Sequence, residues 1–123
     1  MKILLIALAG AAGTLSRYGL AGLIQKVFGA DFPAGTFVVN ALGSFLFGLV
    51  WTLSEERLII SVEARVVVLV GFMGAFTTFS TLMFETGQLI DNSQWAMAAL
   101  NLTLQCLVGM AMLFIGMATA RIF

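Results

Sequence analysis

In a chain of 123 residues, 61% are hydrophobic, 10% are charged and the net charge is zero. A water-soluble domain is about one-quarter charged, so the polar residues are too few to cover a surface in water, and no basic stripe exists for a nucleic-acid partner. With Cys106 as the only cysteine and no histidine, a disulfide framework, a Cys/His metal site and a histidine proton relay are excluded too.

The first apolar stretch, Ile3 to Ser16, is interrupted by Arg17 and resumes from Tyr18 to Ile24. Its opening imitates a secretory signal, with Lys2, a short apolar run and small residues at Ala7 and Ala9. Because the apolar character continues beyond Arg17, the segment is expected to be retained as a first helix over 4–25. Three uncharged runs follow, at 32–54, 66–84 and 92–120. Each reaches the roughly 18 residues that a spanning helix needs. They predict helices over 34–54, 65–89 and 95–119, with a short polar turn at each connection. Gly29, Asp31 and Pro33 punctuate the first turn, Glu55, Glu56 and Arg57 the second, and Asp91, Asn92 and Ser93 the third. The expected fold is an all-α membrane protein, one four-helix domain over 1–123. Glycines inside the spans, with Ser44 and Gly48 one turn apart, suit close helix packing.

An even helix count puts both termini and the 55–65 loop on one side. That side carries Lys2, Arg57, Arg65 and Arg121, and the other carries Lys26. The bias favours a cytoplasmic N-terminus. Four helices leave little room for a pore, so an oligomer is the default expectation.

Polar groups at membrane depth are costly and face protein or water. Arg17 lies about 20 Å along the first helix from Leu4. It either snorkels to the interface or places a positive group at a vestibule that draws in anions. Thr36 and Asn40 share one side of the second helix. Asn40 serves as packing glue between helices or as an amide donor to an anion. The third span reads GFMGAFTTFSTLMFE from Gly71 to Glu85. Glycines beside the β-branched Thr77, Thr78 and Thr81 weaken a helix. A break here would free backbone carbonyls, which survive in a membrane only inside protein or along a cavity. Freed carbonyls can coordinate a dehydrated Na⁺. Phe76 and Phe79 flank the hydroxyls, and aromatic ring edges carry positive polarisation that tolerates an anion. Each ring can equally be core. On the fourth helix Asn101 and Gln105 share a side at i, i+4. No catalytic set appears: there is no Ser/His pair, carboxylate dyad or phosphate-binding loop.

The segments GAAGTLSRY (10–18), GTFVVN (35–40) and GFMGAFTTFST (71–81), in this order, resemble the CrcB/Fluc family of fluoride channels. The resemblance implies passive fluoride export across the cell membrane by an antiparallel, dual-topology dimer with two pores and a structural Na⁺ at its centre. It places the Na⁺ on the backbone carbonyls of Gly74 and Thr77. It puts Asn40 as a donor to fluoride, Phe79 as a ring edge, and Ser80 and Thr81 on the polar track. Arg17 and Glu85 also fall on family positions.

Three departures are visible. The second phenylalanine of the family's TTFSTF is Leu82, and Asn101 and Gln105 stand where the family carries Tyr and Ser. A further serine of some members is Gly109. Phe76, one turn before Phe79, is the expected substitute for the lost ring. The Lys and Arg count, four against one or two, pulls toward a fixed orientation and a heterodimer with an inverted homologue, against the homodimer the family implies. Rival readings are a small multidrug resistance type exchanger and a non-conducting accessory subunit. The first needs a carboxylate in helix one, where only Arg17 is present.

Overall fold

The computed structural model describes residues 1–123 and is all-helical. Helix α1 spans Lys2–Phe28 and α2 spans Ala34–Glu55. The third span opens with α3 (Val62–Val66), passes through a π-helical stretch (Val67–Met73) and the single turn α4 (Gly74–Phe76), and resumes as α5 (Phe79–Asp91). Helix α6 spans Trp95–Ala120. Four spans are therefore long and apolar enough to cross a membrane, the third of them broken. Their ends lie within three residues of the predicted ones. Leu8, Leu15, Leu107 and Phe114 stand exposed along them, as expected of side chains meeting lipid rather than water.

Glycine decides how close the spans come. A Cβ at Gly48 of α2 would meet the Leu113 carbonyl of α6, and one at Gly116 of α6 would meet the Phe45 carbonyl of α2. The two contacts are reciprocal and bring these backbones together, the route to helix association that lipid permits. Gly13 of α1 likewise rests on the Phe72 carbonyl, and Gly71 of the π-helical stretch on the Ile6 carbonyl. Between these pairs lies a small core of Val39, Leu69, Met73 and Phe76.

The ends of the bundle follow the charges. Arg121 donates twice to Glu56, at 2.8 Å each, and Arg65 pairs with Glu55 while lying 4.9 Å over the Trp51 ring. Met1 and Lys2 share a cavity with Ser61 and Glu63. Both termini and the 55–65 connection thus lie at one end of the bundle. The Arg121 guanidinium holds the Glu56 carboxyl below its ordinary range, so this tie loosens only well into acid. At the opposite end, Gln25 latches the first turn: its Nε2 donates to the Gly29 and Phe32 carbonyls, and its Oε1 accepts from the Gly35 N–H.

Candidate functional site

The third span breaks at Thr77 and Thr78. Both take extended backbone angles, φ −84°, ψ 159° and φ −151°, ψ 113°, a conformation that suits β-branched residues. Gly74, by contrast, is regular helix at φ −59°, ψ −30°. Threonine rather than glycine thus occupies the break itself. The Thr77 N–H and Oγ1 both donate to the Met73 carbonyl, at 3.1 and 3.0 Å, closing the upstream turn. Thr78 Oγ1 accepts from the Thr81 N–H at 3.2 Å and caps α5. Gly43 of α2 makes room for this geometry, since the Thr77 methyl occupies the space a Cβ there would need.

Asn40 spans the break from α2. Its Oδ1 accepts from the Thr78 N–H at 2.8 Å, and its Nδ2 donates to the Thr78 carbonyl at 3.1 Å and to Gln105 Oε1 at 2.8 Å. One side chain thus pairs both backbone polar groups of Thr78, as a neighbouring strand would. Both Asn40 N–H groups are engaged, so an anion would reach this amide only by displacing one bond.

The same commitments leave carbonyls free. The amides placed to bond the Gly74 carbonyl are those of Thr77 and Thr78, which go to Met73 and Asn40. The Thr81 amide, placed for the Thr77 carbonyl, goes to Thr78 Oγ1. Two main-chain oxygens therefore stand without these partners at the break. No cluster of His, Cys, Asp or Glu that could hold a metal is present, so backbone oxygen is the donor set on offer, and it fits a hard cation of low charge.

Around the break the donors divide between two hollows. One, of about 430 Å³, is lined by Arg17, Tyr18, Thr36, Thr78 and Thr81 among others. Thr78 Oγ1 donates to Thr81 Oγ1 at 2.9 Å, leaving the Thr81 hydroxyl proton uncommitted, and Ser80 is exposed beside it. Thr36 donates instead to Glu85 Oε1 at 2.7 Å. Glu85 belongs to a polar mouth of about 440 Å³ at the far end, with Asp31, Gln88 and Asn92, and its Oε2 is buried without a partner. The other hollow, a groove of about 410 Å³, is lined by Asn40, Ser44, Thr77, Phe79, Leu82, Gln105 and Gly109 among others.

Phe79 stands 74% exposed at the start of α5. Phe76 does not join it: it is 3% exposed, in the core, its ring stacked on Phe72 at 5.6 Å. The expectation that Phe76 replaces the ring absent at Leu82 is corrected for this chain. Three residues on a continuous helix stay on one side, but the extended pair Thr77–Thr78 turns Phe79 away from Phe76. Asn101 and Gln105 are buried at 0% and 8% exposure. They hydrogen-bond each other at 3.0 Å, and Asn101 Nδ2 also donates to Thr86 Oγ1 at 3.0 Å. Thr86 escaped the sequence reading, since a helical threonine bonding the carbonyl four residues back is ordinarily only a packing feature.

Comparison with known proteins bears on this site. Residues 4–117 match the family described as CrcB-like protein, Camphor Resistance (CrcB). A protein of Nitrosococcus oceani named fluoride-specific ion channel FluC is 55% identical over 121 residues, covering 98% of this chain and 97% of its own. Its namesake in Solidesulfovibrio magneticus is also 55% identical with the same coverage. One from Geobacter metallireducens is 41% identical, covering 98% of each chain.

Proposed function

The chain belongs to the CrcB-like family, and from that premise we propose that it is a subunit of a fluoride-selective channel exporting fluoride passively across the cell membrane. The observation that carries this reading is the broken third span, which gathers neutral donors at membrane depth. A small, strongly hydrated anion gives up water only where donors replace it at close range, as in selectivity filters. The hydroxyls of Ser80 and Thr81 and the Phe79 ring edge supply such donors without charge, and Arg17 adds a positive group to the hollow that Thr81 lines. Purified protein in liposomes is expected to release fluoride and to retain chloride. Equal loss of both anions would overturn the selectivity.

The same reading makes the working unit an antiparallel pair, a homodimer by preference over a heterodimer with a homologue. Each copy would bring the Gly74 and Thr77 carbonyls to a shared Na⁺, since two oxygens are too few to replace the water of such a cation. Its chemistry when bound is structural, tying the two breaks together. A topology reporter at the C-terminus, expressed with this chain alone, should read out on both sides of the membrane. A one-sided signal without flux would point to the heterodimer.

The metal makes a separate prediction. A Cβ at Gly74 meets only the Leu69 carbonyl, at 3.9 Å, an ordinary contact. Gly74→Val is therefore expected to leave the single chain folded and to disturb only its pairing. Size-exclusion profiles in Na⁺ should show its dimer fraction well below wild type, whereas Thr77→Ser, which keeps the hydroxyl bond to Met73, should match wild type. An unaltered dimer in Gly74→Val would remove Gly74 from the interface.

A further inference from the structure

Four side chains from three helices form one hydrogen-bonded line ending at the break. Thr86 Oγ1 donates to the Leu82 carbonyl at 2.8 Å and accepts from Asn101 Nδ2 at 3.0 Å. Asn101 Oδ1 accepts from Gln105 Nε2 at 3.0 Å, and Gln105 Oε1 accepts from Asn40 Nδ2 at 2.8 Å. Asn40 Oδ1 then accepts from the Thr78 N–H.

The Thr78 end fixes the direction of the line. A backbone carbonyl can only accept, and a backbone N–H can only donate. The Thr78 N–H therefore dictates that Asn40 Oδ1 faces it, and through Asn40 which face of Gln105 and then of Asn101 presents oxygen. The Thr86 hydroxyl, able to donate and accept, closes the line on the Leu82 carbonyl. Turning any one amide over would set N–H against N–H or oxygen against oxygen. Asn101 at 0% and Thr86 at 4% exposure are shut off from water that could relieve that mismatch. The consequence falls on Asn40. Its amide is held with Oδ1 toward the Thr78 N–H and Nδ2 toward the Thr78 carbonyl, the only orientation that pairs both backbone groups of that residue.

We propose that Asn101, Gln105 and Thr86 are positioning residues that act through Asn40 to keep the break open in one geometry, rather than groups that touch the permeating ion. The reading rests on the channel function above. It gives a reason for the two amides on α6: an amide accepts at one atom and donates at another, so a pair of them transmits a direction.

The test uses the remote anchor. Thr86 lies outside the polar track, and Thr86→Val keeps its shape while removing the hydroxyl; Thr86→Ser keeps the hydroxyl. Two readouts are taken on the full chain. One is amide hydrogen exchange across 77–81 in micelles, which needs no fluoride, and the other is fluoride efflux from proteoliposomes. Thr86→Val is expected to speed exchange at the break by about tenfold, with α1 unchanged, and to slow efflux several-fold. Thr86→Ser should match wild type in both. Should Thr86→Val not be recovered, Thr86→Ala makes the same comparison without a branched side chain.

Gln105→Met then separates the two roles. Accelerated exchange at the break together with slowed efflux is expected. Thr86 variants lacking the hydroxyl that conduct and exchange like wild type, beside a Gln105→Met that stays protected yet no longer conducts, would overturn the proposal by placing Gln105 on the ion path. A wild type with a protected break but no fluoride efflux would refute the channel function alone, leaving the exchange arm to decide the relay.

Discussion

Replacing Asn40 with leucine, a side chain of similar shape, is expected to bring fluoride efflux to the background of empty liposomes. The substitution removes three hydrogen bonds at once and strands the Thr78 N–H, the Thr78 carbonyl and Gln105 Oε1. A buried polar group left without a partner costs about 1–3 kcal/mol in water-soluble folds, and bonds between membrane helices average about 0.6 kcal/mol. Even the lower figure, taken for three bonds, exceeds the 1.4 kcal/mol of a tenfold change in an equilibrium. The chain has two ways to relieve the loss, and either ends conduction. The break can heal into continuous helix, which re-pairs the free carbonyls, or the third span can lose its register on α2. Asn40→Asp should fare no better, because it keeps the acceptor toward the Thr78 N–H but sets a second oxygen against the Thr78 carbonyl and Gln105 Oε1. Efflux assays beside hydrogen exchange at 77–81 would check both variants. Wild-type flux in Asn40→Leu would show that Thr77 and Thr78 hold their extended angles unaided.

Phe79→Ile should cut fluoride efflux by about tenfold or more, the effect of raising a barrier by 1.4 kcal/mol, while leaving folding and assembly intact. The ring is 74% exposed and packs little within its own chain, so its loss removes scarcely any buried surface here. What it removes is a polarised edge in the groove that Asn40 and Thr78 line. Phe76→Ile makes the contrast. That ring lies in the core against Phe72, and trimming it is expected to cost on the order of 1–2 kcal/mol of stability. Lower yield and a lower melting temperature should accompany any change in its flux. The comparison is read from efflux and size-exclusion profiles of the two variants side by side. A Phe79→Ile variant that conducts like wild type would reduce the ring to an interface contact.

The spans, their ends and the weak point in the third one follow from local chemistry, and local chemistry is legible in one dimension. Uncharged runs of sufficient length must be helical in lipid, because every backbone group has to be bonded within the segment. Adjacent β-branched threonines beside glycine weaken a helix in such a run, which marks 71–81 as its weak point. The shared end of Met1, Arg65 and Arg121 likewise follows from counting spans. None of these required knowing how any helix is turned about its axis.

That rotation is what the tertiary structure decided. Gly48 and Gly116 lock α2 against α6, and the lock turns Asn101 and Gln105 inward to meet Asn40 and Thr86. Spacing could say that the two α6 amides share a side, yet not which side. The extended angles of Thr77 and Thr78 sent Phe76 into the core and Phe79 out of it, although an unbroken helix keeps them together. Asn40 finds its partner 38 residues away, in a threonine that offers its N–H and carbonyl only because the helix stops there. Hydropathy measures how strongly a segment avoids water and is nearly blind to which neighbour satisfies a buried polar group. Pairings of this kind exist only once backbone contacts have fixed the helices against one another.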